Sequence, residues 1–210
     1  MLWIAIRMLT GDKQKFFGLL FGIAFSTLLI TQQMTLFVNL VERGASGVFN
    51  TANGDIFVMD PVSRSTDITY PMPSTALDQV RSIAGVKWAV PQIRANAAVR
   101  TSDGDLEQVA IIGVDDATLI GLPKHLLIGK KSDLSIPDTV IIDDVGAWRM
   151  FAQGDAIGQR LELNDQRTVI RGMADTTPSF TSTAVFYTTY SRALRYVPGT
   201  RNRMSLVLVG

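Results

Sequence analysis

The chain has 210 residues, 47% hydrophobic and 19% charged, so it can form a folded core and is neither a disordered tail nor a fibre. Its 20 Lys and Arg are balanced by 19 Asp and Glu, which excludes the strongly basic character typical of proteins that bind nucleic acid. There is no cysteine and only one histidine, His125, which excludes disulfides, thiolate metal sites and most triad chemistry.

Residues 1–15 are predicted to form a cytoplasmic segment that lies along the membrane surface. Apolar side chains recur here at helical spacing, with Trp3 beside them, which is the composition of a short interfacial helix. We expect Trp3 at the level of the lipid headgroups. The basic residues of the segment would anchor it there: Arg7, Lys13 and Lys15.

An uncharged apolar run covers residues 16–41 and reads FFGLLFGIAFSTLLITQQMTLFVNLV. Its length predicts a transmembrane helix. A cleaved signal peptide is the alternative, but its apolar region normally spans about 7–15 residues before a small-residue site, whereas Glu42 and Arg43 follow this run. Three basic residues precede the run and only Arg43 closely follows it, so the positive-inside rule predicts a protein of the inner membrane with a cytoplasmic N-terminus and a periplasmic main domain.

Small residues recur every four positions within this run, at Gly18, Gly22 and Ser26. Residues at this spacing share one helical face, where the lack of bulk lets a second helix approach closely. Ordinary glycine usage in membrane helices explains the pattern equally well. The face is therefore a candidate for membrane-helix packing.

The remaining residues, 42–210, carry more strand signals than helix signals. Strands are predicted at 55–59, 86–100, 106–114, 139–142, 159–163, 169–173, 185–187 and 204–209. Helices are predicted at 75–83, 145–151 and 191–196. Turn residues at 102–104 and 164–165 favour hairpins, Ser74 is the expected N-cap of the first helix, and Pro91 is expected to interrupt the long strand. We therefore expect an α+β domain with a mainly antiparallel sheet, in one body or in two lobes of roughly 42–120 and 135–210.

Motifs for nucleotide binding or hydrolysis are missing from the sequence. There is no Walker A phosphate loop, no G-x-G-x-x-G after a strand and no G-x-S-x-G, so no catalytic, cofactor-binding or metal site is predicted. Two carboxylate pairs remain, 115–116 and 143–144. Both follow predicted strands, where an aspartate more often caps a helix than binds a cation.

The order of several long phrases resembles one family. These phrases are AIRML, GLLFGIAF, GDIFVMD, LDQVRSIAGVKWAVPQ, VAIIGVDDATLIGLP, TVIIDDV, GDAIG and VFYTTYSRALRYVP. Together they resemble the MacB-like (FtsX/MacB-type) ABC transporter permeases, most closely their DevC-like branch. The resemblance runs from about residue 3 to the end of the chain.

The resemblance implies a permease without a catalytic site of its own. A separate ABC ATPase subunit would hydrolyse ATP, and the first helix and outer domain would move together by mechanotransmission. The outer domain would engage a periplasmic membrane-fusion adaptor and, through it, an outer-membrane channel, for efflux of a lipid-like or amphipathic substrate. A homodimer in contact with membrane lipid is expected. The alternative is a stand-alone membrane-anchored periplasmic binding or adaptor module without transport activity.

Permeases of this family continue into three more membrane helices after the outer domain. This sequence holds no second uncharged run of about 18 residues. We therefore expect the 210 residues to comprise the first membrane helix and the outer domain, either as a piece of a longer permease or as a shortened relative.

Overall fold

The structure, a computed structural model, describes residues 2–101, 104–151, 155–179, 183–200 and 202–210, without the side chains of residues 2, 5, 9 and 10. The predicted turn at 102–104 therefore falls largely outside the described residues. The chain divides into two compact units, Met1–Glu42 and Arg43–Gly210.

Two helices account for the first unit. Helix α1 covers Leu2–Gly11, and helix α2 covers Lys13–Phe49, so that the last turns of α2 belong to the second unit. Asp12 lies between the two helices and caps the start of α2, because its carboxylate accepts the Lys15 backbone N–H at 3.2 Å. With 37 residues, a mean hydropathy of 1.5 in its most apolar window and no buried residue there, α2 is long and apolar enough to cross a membrane.

The second unit combines short helices with a large sheet. Its helices are α3 (Thr75–Arg81), α4 (Asp144–Met150) and α5 (Tyr190–Tyr196). Its strands are β1 (Ile56–Met59), β2 (Met72–Pro73), β3 (Ala89–Arg100), β4 (Leu106–Val114), β5 (His125–Ile128), β6 (Thr139–Asp143), β7 (Arg160–Leu163), β8 (Gln166–Asp175), β9 (Ala184–Thr189), β10 (Arg203–Met204) and β11 (Leu206–Val209). The described residues also include two 3-10 turns, at Lys131–Ser135 and Pro198–Thr200.

Nine of the described strands form one sheet in the order β1-β11-β3-β4-β9-β6-β8-β5, and β7 pairs with both β3 and β8. Strand β7 thus closes six strands, β3-β4-β9-β6-β8-β7, into a ring. Only the β4–β9 and β6–β8 pairings in this sheet are parallel, which confirms the predicted α+β class with mainly antiparallel strands. Strands from both predicted lobes share this sheet, and the lobe boundaries stay a prediction.

The largest core cluster is built from the alternating apolar positions of these strands, together with α4 and α5. Strand β6, TVIID, is buried along its whole length, which explains why its three central residues are all apolar. The fully buried side chains of the cluster are Val99, Val140, Ile142, Ala147, Ala156, Leu163, Ile170 and Phe186.

One predicted detail was wrong. Pro91 lies inside β3 and does not interrupt it. The Gln92 carbonyl accepts the Ser205 N–H and the Arg94 N–H donates to the Ser205 hydroxyl, so Pro91 points to the opposite edge, where pairing with β4 begins only at Ile93. Ser74 does occupy the N-cap position of α3, but its backbone is already helical and its side chain makes no capping bond.

Candidate functional site

The predicted packing face lies on the apolar part of α2. Gly18, Gly22 and Ser26 are exposed, and a Cβ added at either glycine would meet nothing within 4 Å. The helical spacing places the three residues along one side of α2. Their role in helix packing stays a prediction.

The predicted anchor residues lie on α1 and the start of α2. The Arg7 guanidinium carbon is 5.1 Å from the centre of the Trp3 ring, so this arginine stacks on the tryptophan one turn away. Lys15 pairs with Asp12, with 3.1 Å between Nζ and Oδ2. Lys13 is exposed at the first residue of α2. Their role as membrane anchors stays a prediction.

The paired aspartates serve as hydrogen-bond acceptors. Asp143 is the N-cap of α4 and accepts the Gly146 N–H at 3.1 Å. Asp116 accepts the backbone N–H and the hydroxyl of Ser191 at 3.1 and 2.9 Å, so it caps α5 from a distant part of the chain. Within the described residues, no group of three His, Cys, Asp or Glu side chains is placed to hold a metal ion.

The feature that the sequence did not reveal is the place where the end of α2 meets the domain. We call it the helix socket, formed by residues 46–51 at the end of α2 and the domain residues around them. The residues of the second unit that surround the helix end are Thr66, Asp67, Gln92, Arg94, Asp143, Thr176, Thr177, Ser179, Val185 and Tyr187.

Arg94 forms the centre of the helix socket. Its side chain is 8% exposed, although it projects from strand β3 in the middle of the domain. It forms one ion pair, at 3.4 Å from the Asp67 carboxylate. Its other guanidinium bonds go to Gln92 Oε1 (3.0 Å), Thr66 O (3.1 Å), Gly47 O (3.1 Å) and Thr51 Oγ1 (3.5 Å). Two of these partners belong to the helix end and three to the domain, so one buried cation binds the two together.

A second connection runs from the helix end to the segment before β9. The amide of Asn50 donates to Thr177 O at 2.8 Å and accepts the Thr177 backbone N–H at 2.8 Å. In the same segment, Ser179 Oγ donates to Asp67 Oδ2 at 2.7 Å, which also holds the partner of Arg94 in place. The reciprocal pair of bonds fixes both the position and the direction of the helix end.

Gly47 allows this close approach. A Cβ at this position would collide with the Thr66 side chain and would lie 2.7 Å from Arg94 Nη1. Its own carbonyl accepts from Arg94 and from Thr51 Oγ1 at 2.8 Å. The helix therefore needs a residue without a side chain where it faces the arginine.

Burial is the largest cause of the pKa shifts in the socket. Burial raises the pKa of Asp143 to about 6, against the lowering effect of the Val185 and Gly146 backbone N–H donors. Burial also raises the pKa of the Tyr187 phenol and lowers that of Arg94. The guanidinium stays protonated in spite of this, because its ordinary pKa lies far above neutral pH.

The socket joins the end of α2 to the rest of the second unit. Its charged groups bind one another and backbone groups, and Ser179 donates to Asp67. The histidine His125 lies elsewhere, exposed on β5. Arg94, in the middle of the largely apolar strand AVPQIRANAAVR, was the one sequence signal that could have indicated the joint.

One family model matches most of the chain. The model of the MacB-like periplasmic core domain matches residues 16–209. The periplasmic region of MacB from Actinobacillus actinomycetemcomitans has a similar structure, with 17% identity, a TM-score of 0.50, and coverage of 73% of this chain and 71% of that chain. The extracellular domain of the noncanonic ABC-type transporter YknZ from Gram-positive bacteria shows 16% identity and a TM-score of 0.48, covering 73% of this chain and 81% of that chain. No curated protein matches.

The family match covers both the apolar helix and the outer domain, and the likeness to the MacB region independently shows the same fold. These findings confirm the family resemblance seen in the sequence. The chain belongs to the MacB-like periplasmic core domain family of ABC transporter permeases.

Proposed function

We propose that this protein is a permease subunit, or the N-terminal part of one, of an ABC-type export system. Domains of this family are parts of ABC transporter permeases, which are not enzymes themselves and which work with an ABC ATPase. The observation that carries the proposal is the helix socket, in which buried Arg94 binds the end of the apolar helix to the outer domain. A joint of this kind suits a protein that transmits movement from a membrane helix to an outer domain.

The proposed mechanism is mechanical coupling. A separate ATPase subunit hydrolyses ATP, helix α2 moves in response, and the domain follows because the socket resists independent motion. In this proposal helix α2 spans the inner membrane, with the N-terminus in the cytoplasm and the domain in the periplasm. The interfacial residues Trp3, Arg7, Lys13 and Lys15 would hold the start of the chain at the cytoplasmic surface.

The finer assignments rest on the family resemblance. They are a DevC-like branch, a periplasmic membrane-fusion adaptor leading to an outer-membrane channel, and a lipid-like or amphipathic substrate. A homodimer is also part of the proposal, and the face of Gly18, Gly22 and Ser26 offers the close helix contact that it requires.

Affinity purification of the tagged chain from its native membranes in mild detergent tests the system-level proposal. We expect a Walker-motif ATPase and a periplasmic adaptor among the copurifying chains. Recovery of this chain alone, under conditions that keep a known transporter complex intact, would contradict the proposal and favour the stand-alone binding or adaptor module.

Coupling through the socket has its own test in the purified complex. Addition of a non-hydrolysable ATP analogue should change amide hydrogen exchange in the outer domain of the wild type. Replacement of Arg94 by Met should abolish this change. Arg100→Met is the matched control, because it removes an exposed arginine from the same strand and should leave the response intact. Equal responses in both variants would rule out the socket as the coupling element.

A further inference from the structure

A small cavity lies inside the helix socket, next to the end of α2. Its volume is about 30 Å³. Ser46 borders it on the helix side, and Arg94, Asp143 and Tyr187 border it on the domain side. None of these side chains belongs to a recognised binding motif in the sequence.

Ser46 points to an occupant for this cavity. The residue is 1% exposed, and its Oγ is the one buried side-chain oxygen or nitrogen, among the residues that the structure describes, that lacks a hydrogen-bond partner. Buried polar atoms are almost always bonded to protein or to ordered water, because an unsatisfied buried hydroxyl destabilises the folded state. A partner for Ser46 that is not part of the chain is therefore expected in the cavity.

The size and charge of the walls define that partner. A cavity that holds a water molecule needs a volume of roughly 10–15 Å³, so about 30 Å³ accommodates one or two waters and no organic molecule. The Arg94 guanidinium in the wall opposes a bound cation, and the carboxylates of Asp67 and Asp143 oppose a bound anion. A neutral molecule with both donors and acceptors satisfies all of these groups.

We propose that this cavity is an internal water site, in which ordered water bonds to Ser46 Oγ and bridges the end of helix α2 to the polar groups of the domain wall. The site is independent of the proposed transport function. It adds a water-mediated contact to the direct contacts of Arg94 and Asn50 with the same helix end.

Ser46→Ala distinguishes a hydrated cavity from a dry one by the sign of its effect on unfolding of the full chain in detergent. If water bonds to Ser46, the substitution removes one of its partners, and the unfolding midpoint falls, with about a fivefold loss in the folding equilibrium constant. If the hydroxyl is dry and unsatisfied, alanine removes a buried polar group and the midpoint rises. The difference between Gly44→Ser and Gly44→Ala, at an exposed position two residues earlier in the same helix, corrects for the higher helix propensity of alanine.

A midpoint that rises, or does not change after this correction for helix propensity, overturns the proposal. Crystallography of the full chain at a resolution that shows ordered water gives a second readout that does not depend on stability. We expect a density peak about 3 Å from Ser46 Oγ that also reaches a polar group of the domain wall. An empty cavity, or a Ser46 hydroxyl that bonds only to its own helix, overturns the proposal.

Discussion

Replacement of Arg94 by Met is the most direct perturbation of the helix socket. Methionine keeps an unbranched apolar chain of similar length, so the change removes mainly the guanidinium and its bonds. Asp67 then loses its ion-pair partner, and the carbonyls of Gly47 and Thr66 lose a donor. Removal of one partner from a buried ion pair costs about 3–5 kcal/mol.

Two features place the expected loss at the lower end of that range. The Asp67 side chain is 25% exposed and keeps its bond from Ser179, so it is not left as an isolated buried charge. The Gly47 carbonyl keeps its bond from Thr51 Oγ1. We therefore expect Arg94→Met to lower the free energy of unfolding by about 3 kcal/mol.

Equilibrium urea unfolding of the full chain in detergent measures this loss, and hydrogen exchange localises it. Amides of residues 46–51 should lose protection first, because they lie where the guanidinium binds the helix. The exposed Arg100→Met control should lose less than about 1 kcal/mol. A loss for Arg94→Met as small as that of the control, or unchanged protection of residues 46–51, would show that Arg94 does not bind the helix to the domain.

Three further predictions concern the same joint. Gly47→Ala should destabilise the chain by about 1–3 kcal/mol in thermal or urea unfolding, because its Cβ collides with Thr66 and Arg94; a stabilised variant, as helix propensity alone predicts, would contradict the close approach. Asn50→Ala should cost about 1–2 kcal/mol and raise hydrogen exchange at Thr177, whose N–H loses its acceptor; unchanged exchange there would contradict the contact. The pKa of Asp143 lies at about 6 in the folded chain and at about 4 in the unfolded chain, so the folded chain binds this proton more tightly. The free energy of unfolding should therefore fall by up to about 3 kcal/mol as the pH rises from about 4 to about 6. Asp143→Asn should flatten that part of the pH curve, and a curve that keeps its slope would assign the effect to other groups.

Sequence patterns predicted the turns, helix caps and strands that depend on residues close together in the chain. The Asn164-Asp165 pair has positive φ at both positions, 44° and 66°, and forms the turn between β7 and β8 as expected. Asp143 caps α4 within its own segment. Alternating apolar residues indicated most strands of the sheet, but β5 was not among the predicted strands, because its four mostly exposed residues, HLLI, show no regular alternation of apolar and polar side chains.

The helix socket and the ring closure could not be predicted from local patterns, because their contacts join distant parts of the chain. Arg94 meets Gly47 across 47 positions, and Asn50 meets Thr177 across 127. The ring closes through only two residue pairs, Val99 with Leu163 and Arg100 with Glu162. The hydrophobic periodicity of the sequence carries no information on such long-range pairings. The sequence around Arg94 gives no indication of its partners in the folded chain.

The order of elements along the chain gives the socket a protective role under force. Strands β1 and β11 lie side by side and antiparallel, with Ile56 opposite Val209, so a pull on Asp55 against Gly210 would unzip them one backbone bond after another. Helix α2 precedes β1 in the chain, and a pull that arrives along the helix reaches the bonds of Arg94 and Asn50 first. These bonds have to break before tension along the helix reaches the β1–β11 pair, so the socket shields that pair.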